Sequence, residues 1–306
     1  MNKLILTVAA ILFAQVCAAE SPTTAPKAVL VTGASSGIGR KITEHLAAKG
    51  YFVYAGARKQ ADLDALGAIK NVRAVKLDVT KQEDIDAAVA TITREGRGLY
   101  ALVNNAGIAT LGSTADTTME EFDLLMDVNV YGPYRMTKAF TPLIAASKGR
   151  ITNIGSISGV LASKDLSAYA MSKHAIEAFT DSLASQLAPL GVTVNVVEPG
   201  NYDSDIGKSA TKRTGKENRF TDRSKYKKPD EVAAAVELAL FEATPKRRYM
   251  TTPDQSEAER TIRKQVEQLV QLNEGHVHTY DRDALVRMLD EAMASARPKV
   301  APPATH

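Results

Sequence analysis

The chain has 306 residues, 44% of them hydrophobic and 24% charged, the balance of an ordinary globular protein with room for one large domain or two small ones. A formal charge of +3 gives no global attraction to nucleic acid, and none is expected as a partner. Cys17 is the single cysteine, and His276 and His278 are the one close pair among five histidines. An internal disulfide and a cysteine-based metal site are therefore excluded, and no metal site is expected.

Residues 1–19 read as a secretory signal. Lys3 supplies the positive start, residues 4–16 are an apolar run, and Cys17-Ala18-Ala19 are small residues before Glu20. The run is shorter than the roughly 20 residues of a membrane span. Export to a periplasm or the exterior, with cleavage after Ala18 or Ala19, is expected; an uncleaved segment 4–16 holding the protein on a membrane is the alternative. After a proline-containing linker, the apolar run 28–31 reads as a buried strand. It is followed by Thr32-Gly-Ala-Ser-Ser-Gly-Ile-Gly39 and a helical stretch, 40–49, that stops at Gly50. Further strands are expected at 51–55, 72–77, 100–103, 151–154, 192–197 and 248–252. Helices are expected at 61–68, 83–93, 119–147, 166–189 and 231–241, with a kink at Gly132-Pro133. Steady alternation of strand and helix, without an internal repeat, predicts an α/β fold with a doubly wound parallel sheet of Rossmann type. A single domain over residues 27–250 is expected. Beyond it, helices at 257–272 and 284–296 would form a C-terminal helical extension, 251–297, before a disordered tail, 298–306.

Gly33, Gly37 and Gly39, with Ser35, Ser36 and Ile38 between them, lie between a strand and a helix. A doubly wound sheet holds a dinucleotide pyrophosphate at such a turn, because glycine allows close backbone approach and the helix N–H groups receive the anion. The spacing is G-x-x-x-G-x-G rather than G-x-G-x-x-G. The next strand ends Ala55-Gly-Ala-Arg58, with no carboxylate before Asp62 to grip a ribose 2′-hydroxyl. Arg58, with Arg40 as a second candidate, can instead bind a 2′-phosphate, which favours NADP over NAD. Further on, Tyr169 and Lys173 stand four residues apart, on one face of a helix. A lysine charge there favours the ionised form of a phenol that otherwise titrates near ~10, so that it can give a proton to a carbonyl oxygen or take one from an alcohol.

Together these pieces resemble the short-chain dehydrogenase/reductase family, in its compact single-domain branch. The resemblance runs over about residues 27–241. It is carried by Thr32-Gly-Ala-Ser-Ser-Gly-Ile-Gly39, Asp78-Val79, Asn104-Asn-Ala-Gly107, Asn129, Ser156, Tyr169-x-x-x-Lys173 and Pro199-Gly200. It implies an NADP(H)-dependent alcohol dehydrogenase or carbonyl reductase acting on a small-molecule substrate. In that reading Tyr169 is the general acid/base and Lys173 holds the nicotinamide ribose. Ser156 bonds the substrate oxygen, and Asn129 helps carry a proton relay through Lys173. Asp78, with Val79 beside it, contacts the adenine. The stretch from Asn104 through Asn105 and Ala106 to Gly107 lines the cofactor cleft, and Pro199 and Gly200 border the nicotinamide. Relatives pair through the helices corresponding to 119–147 and 166–189, which implies a homodimer or homotetramer. Two features depart from the family pattern. Asn201 and Ser204 stand where a threonine usually follows Pro-Gly. The segment 205–228, a substrate lid in the family, carries Lys208, Lys212, Arg213, Lys216, Arg219, Arg223, Lys225, Lys227 and Lys228 against Asp205, Glu217 and Asp222. Such a lid suits either an acidic substrate or a plain solvated loop. A non-catalytic cofactor-binding or assembly protein on the same fold is the alternative reading.

Overall fold

The computed structural model describes residues 26–217 and 221–296. The expected signal, the expected tail and Arg219 of the basic segment lie outside them. Seven parallel strands form one sheet: β1 (Ala28–Val31), β2 (Phe52–Ala57), β3 (Val72–Lys76), β4 (Ala101–Asn104), β5 (Arg150–Ile154), β6 (Thr193–Pro199) and β7 (Arg248–Thr251). Their order is β3-β2-β1-β4-β5-β6-β7. The chain starts mid-sheet, runs to one edge, and returns past β1 to build the other half. The order therefore reverses between β1 and β4, the place where such sheets bind ligands. Every residue of β1 and β4 is buried, as continuous apolar runs covered on both faces must be.

Among the described residues, ten α-helices cover the sheet and extend beyond it: α1 (Gly37–Ala48), α2 (Gln60–Gly67), α3 (Gln82–Glu95), α4 (Met119–Met126), α5 (Gly132–Ala146), α6 (Ser167–Leu187), α7 (Ile206–Thr214), α8 (Asp230–Phe241), α9 (Gln255–Asn273) and α10 (Arg282–Ala296). Successive strand side chains point to opposite faces. Val29 and Val31 join Ile42 and Leu46 of α1 and Val236 and Leu240 of α8 in one core. Leu30 joins Ile85 and Ile92 of α3, Phe140 and Ile144 of α5 and Leu183 of α6 in the other. Each such aliphatic side chain removed from water contributes roughly 1.5–3 kcal/mol before ordering costs.

The helical stretch expected at 119–147 is broken, as the Gly-Pro pair predicts. A capping box between Thr118 and Glu121 starts α4, a π-helical turn follows at Asp127–Tyr131, and Pro133 sits in the first turn of α5. The glycine at 132 has a packing reason: a Cβ there would lie 2.8 Å from Val79 Cγ2. The segment after β6 differs from the loop expected for it. It contains α7, which buries Ala210 against Ala109, Leu111 and Leu166 and stops at Gly215 in the left-handed conformation (φ 70°). At the C-terminal end, α9 begins with Asp254 as its cap and buries Glu257 and Thr261. Most of its remaining length, and most of α10, is exposed. Among the described residues no helix is long and apolar enough to cross a membrane.

Candidate active site

A cleft of about 980 Å³ opens at the C-terminal ends of the strands, over the β1–β4 reversal. At one end lies the turn from Gly33 to Gly39. Gly33 and Gly37 have φ of 63° and 53°, where a side chain is strained. A Cβ on Gly39 would fall 2.2 Å from the Gly33 carbonyl oxygen and 2.3 Å from Asn105 Nδ2, so only bare backbone fits. The residues after β4 hold the turn in place. Thr32 Oγ1 accepts from the N–H groups of Asn105 (3.0 Å) and Ala106 (2.9 Å), and Asn105 Nδ2 donates to the carbonyls of Thr32 (2.8 Å) and Gly33 (3.1 Å). Ser36 at the N-cap of α1 makes no side-chain capping bond, which leaves the N–H groups of that first turn to the cleft. Bare glycine backbone beside a helix N-terminus fits a pyrophosphate.

Ser35, Ser36, Ile38, Arg58, Asp78, Val79, Asn105, Ala106 and Gly107 all line this end. Arg58 follows β2 with its side chain mostly exposed, and its Nη1 lies 3.8 Å from Asp78 Oδ2. Asp78 Oδ1 accepts from the N–H (3.0 Å) and hydroxyl (2.8 Å) of Thr80. Two expectations need correction. Arg40 does not reach the cleft; its Nε pairs with Glu44 Oε1 of the same helix at 2.6 Å, beside a separate hollow at Gly37, Asp203 and Asp205. Asn104 does not line the cleft either. The register of β4 turns it into the core, where its Nδ2 donates to Asn153 Oδ1 (2.9 Å) and Thr137 Oγ1 (3.2 Å). Arg213 of α7 was not singled out from the basic segment, yet it lines the cleft and donates to the Ala109 carbonyl at 2.5 Å. Burial, aided by the charge of Arg58, holds its guanidinium below the usual arginine range.

The other end gathers Ser156, Tyr169, Lys173, Pro199 and Gly200. Tyr169 and Lys173 share the cleft face of α6. Lys173 is buried, donates from Nζ to the Ile154 carbonyl at 2.8 Å, and keeps that nitrogen 5.6 Å from the centre of the Tyr169 ring. Ser156 starts a short 3-10 turn after β5 and accepts from the Ser158 N–H at 3.0 Å. Its hydroxyl lies 3.5 Å from the Pro199 carbonyl. Asn129 stands apart from this cluster. It is buried in the π-helical turn, where its amide both accepts from the Ile108 N–H (2.8 Å) and donates to the Ile108 carbonyl (2.9 Å), with a further bond to Ser172 Oγ (3.1 Å). Its side chain ties the strand exit to α6 and does not line the cleft.

The residues that replace the family threonine have divided roles. Ser204 packs beside Gly37, where a Cβ would lie 3.3 Å from Ser204 Cβ. Asn201 is held by Glu257 of α9: its N–H donates to Oε2 at 2.9 Å and its Nδ2 to Oε1 at 2.5 Å. Asn201 Oδ1 in turn accepts from Arg223 Nη2 at 2.7 Å. Glu257 carries no sequence signal for this role, being 56 residues from Asn201 on a helix whose apolar stripe points elsewhere. Arg223 was one of nine basic residues without a mark to separate it.

A sequence profile described as short chain dehydrogenase matches residues 27–215, more than half of the chain. The chain belongs to the short-chain dehydrogenase family. Among curated relatives, mitochondrial D-beta-hydroxybutyrate dehydrogenase of Mus musculus is 40% identical over 196 residues, covering 60% of this chain and 57% of the mouse enzyme; the chain thus spans little more than half of that relative's length. The 3-oxoacyl-[acyl-carrier-protein] reductase FabG of Vibrio cholerae is 36% identical over 235 residues, covering 74% of this chain and 93% of the reductase. The crystal structure of a short-chain dehydrogenase from Streptomyces avermitilis superposes with a TM-score of 0.69 at 30% identity, covering 89% of this chain and 100% of that one.

Proposed function

We propose that this short-chain dehydrogenase is an NADP(H)-dependent oxidoreductase that interconverts a carbonyl and an alcohol, with Tyr169 as general acid/base. The observation that carries the reading is the convergence of Ser156, Tyr169 and Lys173 at one end of a cleft whose other end is a side-chain-free anion turn. When bound, the nicotinamide supplies or accepts the hydride. The chain's own residues do the rest. The Ser156 hydroxyl holds the substrate oxygen. Tyr169 gives that oxygen a proton in reduction and takes one from it in oxidation. Lys173, fixed by the Ile154 carbonyl, sets a positive charge where negative charge forms as the phenol gives up its proton. Pro199, Gly200 and the Asn105-Ala106-Gly107 turn shape the wall on which the cofactor lies.

Arg58 supports NADP. It follows the strand whose end faces the adenosine side of such clefts, and its side chain is open to solvent rather than committed to the core. Titrating NADPH and NADH fluorescence against protein lacking residues 1–19 tests this. NADPH is expected to bind more tightly than NADH. Arg58→Ala is expected to weaken NADPH about 10- to 100-fold while NADH changes little. A wild-type preference for NADH contradicts the assignment. Residues 1–19 support export of the enzyme, which cell fractionation with N-terminal sequencing tests.

A further inference from the structure

We propose that the substrate of this site carries a carboxylate and that Arg223 receives it. The inference rests on the oxidoreductase reading above and names the class of carbonyl or alcohol it acts on. Arg223 reaches from the segment after α7 into the wall of the cleft, at the end that holds Tyr169. Its hydrogen-bond partner among the described residues is neutral, the Asn201 side-chain oxygen at 2.7 Å. Among the described residues its Nε is buried with no hydrogen-bond partner. A guanidinium has five N–H donors and no acceptor, and burying it without a counter-anion is costly. The residue is therefore incomplete as the protein stands.

Among the described residues it has no counter-anion within ion-pair distance; the Tyr226 ring lies against it, with its centre 5.5 Å from the guanidinium carbon. Both carboxylate oxygens of Glu257 are occupied by Asn201, and that of Asp203 accepts from Lys228 at 2.5 Å. These two acids act on Arg223 only through space, and burial outweighs them, holding the guanidinium below the usual arginine range. Arg223 and Tyr169 line the same cleft, together with Asn201 and Gly200. An anion seated on Arg223 would lie in the cleft that Tyr169 also faces. Of the other cations at this end, Lys173 is fixed by the Ile154 carbonyl, Lys264 pairs with Glu267 at 3.3 Å, and Lys225 and Arg260 are exposed at the rim. The nearby carboxylates of Glu257 and Asp203 oppose a doubly charged phosphate more than a singly charged carboxylate, whose two oxygens match the planar face of an arginine.

The position of Arg223 is built. Glu257 sits directly against Gly200, where a Cβ would meet its Oε2 at 2.2 Å. It fixes Asn201 through two bonds, and Asn201 fixes Arg223. The first turn of α9 thereby sets a cation in the same cleft as the proposed proton donor, and a preorganised donor of this kind discriminates because it is left unpaired by a ligand lacking the anion. The carboxylate takes no part in the bond changes: the hydride goes to the carbonyl carbon, the proton to its oxygen, and the acid group leaves as it came.

The test compares short-chain oxo acids with their methyl esters as substrates of the full chain, with NADPH, for the wild type and for Arg223→Met and Arg223→Lys. Arg223 lies in a surface segment outside both cores, so the variants are expected to fold. The wild type is expected to favour the acid in kcat/KM. The acid-to-ester ratio is expected to fall about 100-fold in Arg223→Met, chiefly through KM, and by less in Arg223→Lys, which keeps the charge but loses the planar fork. An unchanged ratio in both variants overturns the proposal. So does a loss confined to kcat with a displaced pH profile, which would make Arg223 a support of Tyr169. So does loss of NADPH binding, which would assign the guanidinium to the cofactor. A wild type that reduces neutral carbonyls and not oxo acids refutes the substrate class alone. A wild type that binds neither nucleotide and turns over nothing refutes the oxidoreductase reading and this inference with it.

Discussion

Behind the wall formed by Ser156 and Pro199, Glu177 of α6 and Glu198 of β6 face each other with Arg248 against both and Asp181 beyond it. Glu177 Oε1 is buried without a donor, and a proton kept on Glu198 supplies one. Burial first, and the charge of Glu177 second, push Glu198 up to about 8 from an ordinary 4.5; burial raises Glu177 as well. The sign of the pH effect follows. Between 4.5 and about 8 the unfolded chain has released a proton that the folded one keeps, so stability falls as pH rises through that window and levels off above it. Urea unfolding at the two ends of the window should show a loss of up to about 5 kcal/mol, at about 1.4 kcal/mol per pKa unit, largely absent in Glu198→Gln. Stability that rises over the window contradicts this. At this scale the sequence revealed residues whose chemistry is tied to spacing. Tyr169 with Lys173, and the three glycines, are on the cleft because helix and turn geometry put them there. Arg40 and Asn104 went astray for local reasons: an acid one turn away captured Arg40, and strand register turned Asn104 inward. The Glu177–Glu198 pair could not be read at all, since nothing in two isolated glutamates tells that separate elements will bury them together.

Among the elements, α9 acts as a latch through its first turn alone. Glu257 receives the backbone and side chain of Asn201, while residues such as Ile262, Val266 and Leu269 remain exposed. Glu257→Ala removes the acceptor from two half-buried donors and is expected to cost about 1–3 kcal/mol, read by urea unfolding. Steady-state kinetics should show KM rising more than kcat falls, because Asn201 holds Arg223, the proposed contact of the substrate carboxylate. An unaltered KM would reduce the latch to a packing contact. The strands and long helices of the body were legible because short apolar runs and 3.6-residue periodicity survive in the sequence. By contrast α7, with its polar sequence Ile-Gly-Lys-Ser-Ala-Thr-Lys-Arg-Thr and only Gly207 and Ala210 buried, gives almost no periodic signal. Its one legible mark is Gly215, the left-handed stop. The π-helical turn before α5 has no simple sequence pattern, although the Gly132-Pro133 pair announces a break.

At the scale of the molecule, the parallel sheet and its reversal at β1 and β4 place the anion turn and the Tyr169 cluster at the two ends of one cleft, which alternation of strand and helix already implied. Besides α9, the elements from α4 to α6 also leave apolar side chains uncovered. Leu124 of α4, Tyr131 of the π-helical turn, Tyr134 of α5 and Met171 of α6 are exposed, and Tyr134 adjoins Phe179 with ring centres 5.9 Å apart. The resemblance implies pairing through these elements, and we propose a second copy of the chain as what covers them. Sedimentation should find a dimer or larger assembly for the wild type, and Tyr134→Asp should shift it toward monomer; a monomeric wild type at micromolar concentration contradicts this. The reading of the whole protein stands most directly on Tyr169. The measurement that tests it is turnover of a carbonyl panel by the wild type and Tyr169→Phe, with NADPH binding titrated in the same samples. Retained NADPH binding with turnover lowered about 1000-fold is the predicted result; a phenylalanine variant that turns over at the wild-type rate would contradict the mechanism.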